Sequence, residues 1–341
     1  MTGEVSGEPG TDLVEQTADY VGAGFADSRA ACRAALRSTP ALHYVAHHSH
    51  KRCDFSIDAF GGGRTPPREF DRPGLCTLSL RLSSEVCAID DTLQEAGTGE
   101  LIRTVLRARH FAVCCNSVVP GERIVGFSFP SGDAQLADER LSTLATELRR
   151  LQSRGTQNPG GYESEPSRRA PVQLVRDPVV DVFAQVDDDV AKACNASVRP
   201  DDLHVMAYCA DGELRLIADQ LDHPAMARFY PSLRVGRLRS FYRDFAPELA
   251  VVAANLSQIV GEAGGLLMSL VLDVEQGAIY YRRLPSGHYL MGVTIDQHRV
   301  RDADMRTEEL ALRLQAAPLI IAERTISEGA YSLLSATDQA S

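Results

Sequence analysis

Apolar and polar residues alternate over 43–49 and 53–60 and again over 111–119 and 123–129, which predicts two β-hairpins, the second turned at Pro120-Gly121. Over 75–82 the same alternation puts Cys76, Leu78, Leu80 and Leu82 on one side, so a half-buried strand is expected there. Helical spacing predicts helices over 26–38 and 138–151, and a helix over 90–110 broken at Gly97-Thr-Gly99. The second half of the chain gives a helix over 178–193 and strands over 203–209 and 213–219 joined at Asp211-Gly212. A helix over 246–262 follows, with Pro247 tolerated in its first turn. Three strands over 266–274, 278–284 and 289–295 and a helix over 304–316 complete the series.

One segment recurs. Residues 121–148 lie over 287–314 at a constant offset of 166, without a gap, matching Gly121, Gly126, Ala137, Asp138, Arg140, Leu144, Ala145 and Leu148 to identical residues. A repeat spanning a turn, a strand and a helix in one register fixes architecture rather than chemistry. The expected fold class is α+β, with two tandem domains, each an antiparallel sheet covered by helices, related by this internal repeat. The boundaries read as a flexible N-terminus over 1–16, a first domain over 17–152, a Gly/Pro/Ser-rich linker over 153–170, a second domain over 171–317 and a C-terminal tail over 318–341. A length of 341 residues suits two cores better than one.

Charge and cysteine usage narrow the function classes. A net charge of −11 disfavours general binding to nucleic acid or anionic membranes. No apolar run reaches the roughly 18–20 residues of a membrane span, and the start carries no secretory pattern, so a cytoplasmic location is expected. The eight cysteines show no paired zinc-ribbon spacing and read as reduced thiols.

The order helix, two strands, helix, three strands, helix over about 178–316, with the Asp211-Gly212 hairpin and Tyr289-Leu-Met-Gly292-Val-Thr running into the last helix, resembles the roadblock/dynein-light-chain family. That resemblance implies a profilin-like fold in which a five-stranded antiparallel sheet lies between one long helix and two others. The first domain departs from the order and reads as a diverged copy. Bacterial roadblock-like proteins regulate or scaffold small Ras-like GTPases and pair through the helix and strand at 246–262 and 266–274. The resemblance therefore implies a protein partner, such as a small GTPase, and either intramolecular domain pairing or a homodimer.

Catalytic patterns are missing. No Gly-x-x-x-x-Gly-Lys-Ser/Thr loop and no Gly-x-Ser-x-Gly elbow occurs, and the reading is of a non-enzymatic protein without a cofactor. Asp138 and Asp304 sit where a carboxylate caps a helix start. His43, His47, His48, His50 and Cys53 form the densest ligand-like cluster; a metal would draw on His48, His50 and Cys53, but no second ligand pair accompanies them, and solvated strand ends are expected instead. Arg237, Arg239, Phe241 and Tyr242 mix arginine with aromatic rings as binding surfaces do. Leu249, Val251 and Val252 broaden the apolar surface of 246–262, with Val251 expected on the side away from the sheet, where it would pack on a partner helix. A regulatory or scaffolding protein is the resulting expectation; a GAF- or PAS-like small-molecule sensor and a metal or thiol-redox protein are the alternatives.

Overall fold

A computed structural model describes residues 13–60, 70–129, 134–163, 176–229, 234–261 and 266–316. The flexible stretch 1–12, the linker part 164–170 and the tail 318–341 expected from sequence lie outside the described residues. In the first half β1 (Val14–Thr17), α1 (Ala26–Ser38), β2 (Tyr44–Ser49), β3 (Arg52–Asp58), α2 (Arg72–Leu93), β4 (Leu101–Ala108), β5 (Ala112–Val119), β6 (Glu122–Ser128) and α3 (Ala134–Leu151) follow one another. The second half runs β7 (Val179–Val182), α4 (Asp188–Ser197), β8 (Val205–Ala210), β9 (Glu213–Asp219), α5 (Val235–Gly261), β10 (Leu267–Val274), β11 (Gly277–Arg283), β12 (Tyr289–Thr294) and α6 (Val300–Ala316). From α4 onward this is the roadblock-like order: strands β8 to β12 form five antiparallel neighbours, with α5 on one face and α4 and α6 on the other.

The first half takes the same order, which corrects the sequence reading at two elements. Residues 75–82 belong to a helix, α2, whose buried Leu75, Leu78, Leu82, Val86, Ile89 and Leu93 recur at helical spacing. Asp71 caps it by accepting the amide of Gly74, and Pro73 occupies the first turn, where its missing N–H costs nothing. The break expected near Gly97 is real, Gly97 adopting a left-handed φ of 73°, but the chain beyond it is the strand β4 rather than more helix. In the second half, part of the helix expected over 178–193 is instead the edge strand β7, and α5 starts at Val235 rather than 246. β1 also overlaps the stretch 1–16 expected to be flexible; Arg29 and Arg33 both hold its Glu15.

All twelve strands join one antiparallel sheet in the order β1-β3-β2-β6-β5-β4-β10-β11-β12-β8-β9-β7. The expectation of a separate sheet in each half gives way at the β4–β10 seam, where each strand satisfies the other's exposed amides and carbonyls. Val105 faces Val271 at the middle of the seam, with Arg103 opposite Asp273 on one side and Arg107 opposite Ser269 on the other. Helices α2 and α5 cover one face, and α1, α3, α4 and α6 the other. In the described part of the expected linker over 153–170, residues 153–156 are exposed, whereas Pro159, Gly160 and Gly161 are buried at the seam.

The two glycines of the repeat sit beneath helices. Gly126 in β6 lies under Leu141 of α3, and Gly292 in β12 under Thr307 of α6; an added Cβ would stand 2.5 Å from Thr307 Oγ1. Thr307 is buried and its hydroxyl is bound to Ala303 O at 2.8 Å, so it has little room to withdraw. Gly292→Ala should lower stability by about 1–3 kcal/mol, as overpacking does, read as a fall in the urea midpoint. Gly126→Ala should cost less, since the methyls it meets are ends of Leu42 and Leu141 side chains.

Candidate functional site

Three assemblies draw on the residues singled out above. On the α2/α5 face, Tyr242, Phe245, Leu249, Ala253 and Leu256 form the stripe that α5 buries against the sheet. Tyr242 and Leu249 are seven residues apart, two turns of one helix, and both are core; this corrects their expected place on an interaction surface. Val252 is half-buried against the same core. Arg239 points to β9 and its loop, donating to Asp219 at 2.7 and 2.8 Å and to Asp222 at 2.7 Å. Those hydrogen bonds raise the guanidinium pKa, so Arg239 is a fastening residue.

Arg237 and Phe241 do come together. They line a groove of about 360 Å³ between α5 and the C-terminal end of α2, along with Thr92, Glu95, Asp244 and Glu248. Phe241 stacks on Phe245 with ring centroids 5.4 Å apart, so one ring face belongs to the core. Val251 is 61% exposed farther along α5. The helix pairing expected at this residue occurs inside the chain, between α2 and α5, through other positions, one of them the Asn255 to Glu85 hydrogen bond at 3.3 Å.

The histidine cluster divides between the two faces of the sheet, as alternation requires. His47 Nδ1 meets Asp54 Oδ2 at 2.7 Å, and that carboxylate also accepts Ser49 at 2.7 Å and Tyr20 at 2.9 Å. His48, on the α2 side, meets Ser79 Oγ at 3.0 Å, and burial lowers its pKa to about 4. His50 occupies the β2–β3 turn with a φ of 48°. Cys53 Sγ instead donates to Phe55 O at 3.7 Å, and the neighbouring Cys76 of α2 pushes the Cys53 pKa up while its own is lowered. Among the described residues no group of three His, Cys, Asp or Glu side chains could hold a metal ion, so His48, His50 and Cys53 are not brought into one ligand set.

The third assembly joins Asp138 to partners that the sequence does not flag. At the seam Arg103 is only 5% exposed and donates to Asp273 at 3.0 Å and to Asp138 at 2.7 Å. The Tyr162 hydroxyl donates a hydrogen bond to Asp138 at 2.6 Å, and the Gly160 N–H donates to Asp273 at 2.6 Å. Burial opposes the charge on Arg103, yet Asp138 and Asp273 outweigh it and hold its pKa well above the ordinary value; burial also drives Asp273 upward against the pull of Arg103. Asp138 is therefore an ion-pair partner inside α3, and Asp304, paired with Arg282, has the same role in α6. Neither caps a helix, because α3 and α6 begin four residues earlier, at Ala134 and Val300. Between these helices lies a cleft of about 380 Å³ whose lining includes Val105 and Val271.

A further correspondence escapes the constant offset because it needs different spacings. His43 Nδ1 accepts the amide of Phe129 at 3.2 Å, and His204 Nδ1 accepts that of Ile295 at 2.9 Å. Arg72 holds Asp58 at the end of β3, while Arg239 holds Asp219 at the end of β9. Leu42-His43 and Leu203-His204 were visible as a pair at an offset of 161, and Asp58 and Asp219 share that offset.

Among solved structures the chain is similar to one described as MglB with a tetrameric arrangement, at 18% identity, covering 39% of this chain and 93% of that one with a TM-score of 0.31. It is also similar to the gliding protein MglB from Thermus thermophilus, at 17% identity over the same shares and with a TM-score of 0.31. No family model matches the sequence, and no curated protein matches it.

Proposed function

We propose that the chain is a non-enzymatic regulatory or scaffolding protein, built as a fused pair of roadblock-like units that arose by duplication, and that its partner is a small Ras-like GTPase. The observation that carries this reading is the side-by-side placement of α2 and α5 on one face of a sheet continuous through β4 and β10. Pairing that would otherwise need two chains is supplied within one, leaving a composite platform for a third surface. Arg237 at the groove offers an exposed arginine, a residue type enriched at protein interfaces, and Val251 beyond it offers exposed apolar surface. The recurrence of the His43/His204 and Asp58/Asp219 contacts supports duplication.

The test is titration of the purified chain with GDP- and GTP-loaded Ras-like GTPases from the same genome. Arg237→Glu and Val251→Glu lie on exposed positions, so both should keep the wild-type urea midpoint. Each should weaken GTPase binding by about tenfold, the effect of losing one well-placed interface contact. Saturable binding that neither variant alters would move the interface elsewhere; no binding to either nucleotide state would remove the GTPase from the reading.

A further inference from the structure

The seam is balanced in geometry and unbalanced in chemistry about the Val105–Val271 pair. On one side Arg103 and Asp273 neutralise each other beneath the 159–162 turn, with Asp138 and Tyr162 completing the network. On the other side Arg107 faces Ser269. Arg107 has no hydrogen bond or ion pair among the described residues, and its Nε is buried without an acceptor. A buried donor left unmade is costly, and native structures seldom keep one unless something else supplies the acceptor.

Arg107 opens on the cleft between α3 and α6, about 380 Å³ in volume, within the roughly 300–1,000 Å³ range of small-molecule sites. Most acids along this cleft are already engaged. Asp138 receives Arg103 and Tyr162, while Asp304 and Glu308 both receive Arg282; Glu309 is exposed. Two cations remain, Arg107 beside the Val105–Val271 floor and the exposed Arg301, which also has no partner among the described residues. Val105, Val271, Val300 and Met305 supply the apolar part of the lining, beside the polar Gln135 and Tyr162.

We propose that this cleft binds a small organic anion, its acidic head on Arg107 and its apolar body over Val105, Val271 and Met305. A planar carboxylate or a phosphate matches the guanidinium fork, and either would supply the buried Nε with its missing acceptor. This site lies on the face of the sheet opposite α2 and α5, so it stands or falls independently of the GTPase surface.

The experiment is calorimetric titration of the full chain with hexanoate, hexyl phosphate and, as the uncharged control, hexanol. At least one anionic probe should bind saturably and at least about tenfold more tightly than hexanol, the value of a charge-assisted hydrogen bond; which of the two does so identifies the head group. Arg107→Gln should abolish that preference while leaving the unfolding midpoint of the probe-free protein unchanged or higher, because it removes an unpaired buried group. Met305→Trp, on an exposed wall position, should block the anion with Arg107 intact, so the proposal stays testable even if the Arg107 variant folds poorly. If neither anion outbinds hexanol, or if Arg107→Gln and Met305→Trp both bind the anion as wild type does, the assignment is wrong.

Discussion

Replacing Arg103 with methionine should destabilise the chain by about 3–5 kcal/mol, the usual consequence of removing one partner from a buried ion pair. Arg103 is the sole described side chain that touches both Asp138 of α3 and Asp273 of β10, so its loss strands carboxylates in both halves of the sheet. Asp138 would keep the Tyr162 hydroxyl and Asp273 the Gly160 amide, neither of which brings a compensating charge. Asp273, already pushed upward by burial, would fold as the neutral acid. The expected readout is a fall in urea midpoint at neutral pH that shrinks as pH drops toward the carboxylate range. Adding Asp138→Asn and Asp273→Asn to the variant should recover much of the loss, since neutral groups of similar shape remove the stranded charge. An Arg103→Met midpoint within experimental error of wild type would show that the seam does not depend on this network.

Why this network was invisible in the sequence, while other parts were plain, follows from what each element packs against. The hairpin at Asp211-Gly212 is marked by its turn, and the helices α1, α3 and α6 each have one wet face, so their periodicity shows in a short window. β4 has none: Leu101 to Leu106 is buried on both faces, so its apolar residues run without alternation and fit helical spacing as well as any. For α2 a short window misleads, because Cys76, Leu78, Leu80 and Leu82 alternate over eight residues before Val86, Ile89 and Leu93 restore the helical period. The Asp71-Arg-Pro73 start was the signal that would have decided it. Val251 is readable as an exposed position on the expected helix 246–262, whereas Arg237 falls before that helix and is placed on it only by the structure. Arg103 and Asp273 stand 170 residues apart, and only the pairing of β4 with β10 makes them neighbours. A titratable residue inside an apolar run was a local hint, but it names no partner.

Acidification should begin to destabilise the chain above the carboxylate range. Burial lowers His48 to about 4, with the neighbouring His47 as the second cause, and lowers His204 to about 3, with Arg228 as the second. A base whose folded pKa lies below its unfolded value contributes no pH dependence above about 6.5, where both states are neutral. Below that, the unfolded chain takes up protons that the folded chain refuses, so stability is lost as pH falls from about 6.5 toward 4. Each histidine gives a slope of about 1.4 kcal/mol per pH unit, and the two together remove roughly 5 kcal/mol by pH 4.5, a large part of an ordinary folding free energy. Asp54, held below its ordinary value because His47, Ser49 and Tyr20 outweigh its burial, adds its own loss only beneath the carboxylate range. The measurement is a series of urea titrations between pH 7.5 and 4.5. His204→Asn preserves an acceptor for the Ile295 amide, and His48→Gln a partner for Ser79. Each variant should flatten the slope by about half, following the linkage relation. A wild-type stability that is level from pH 6.5 to 4.5 would mean that these imidazoles protonate in place, and that the two faces of the sheet admit charge where the geometry says they exclude it.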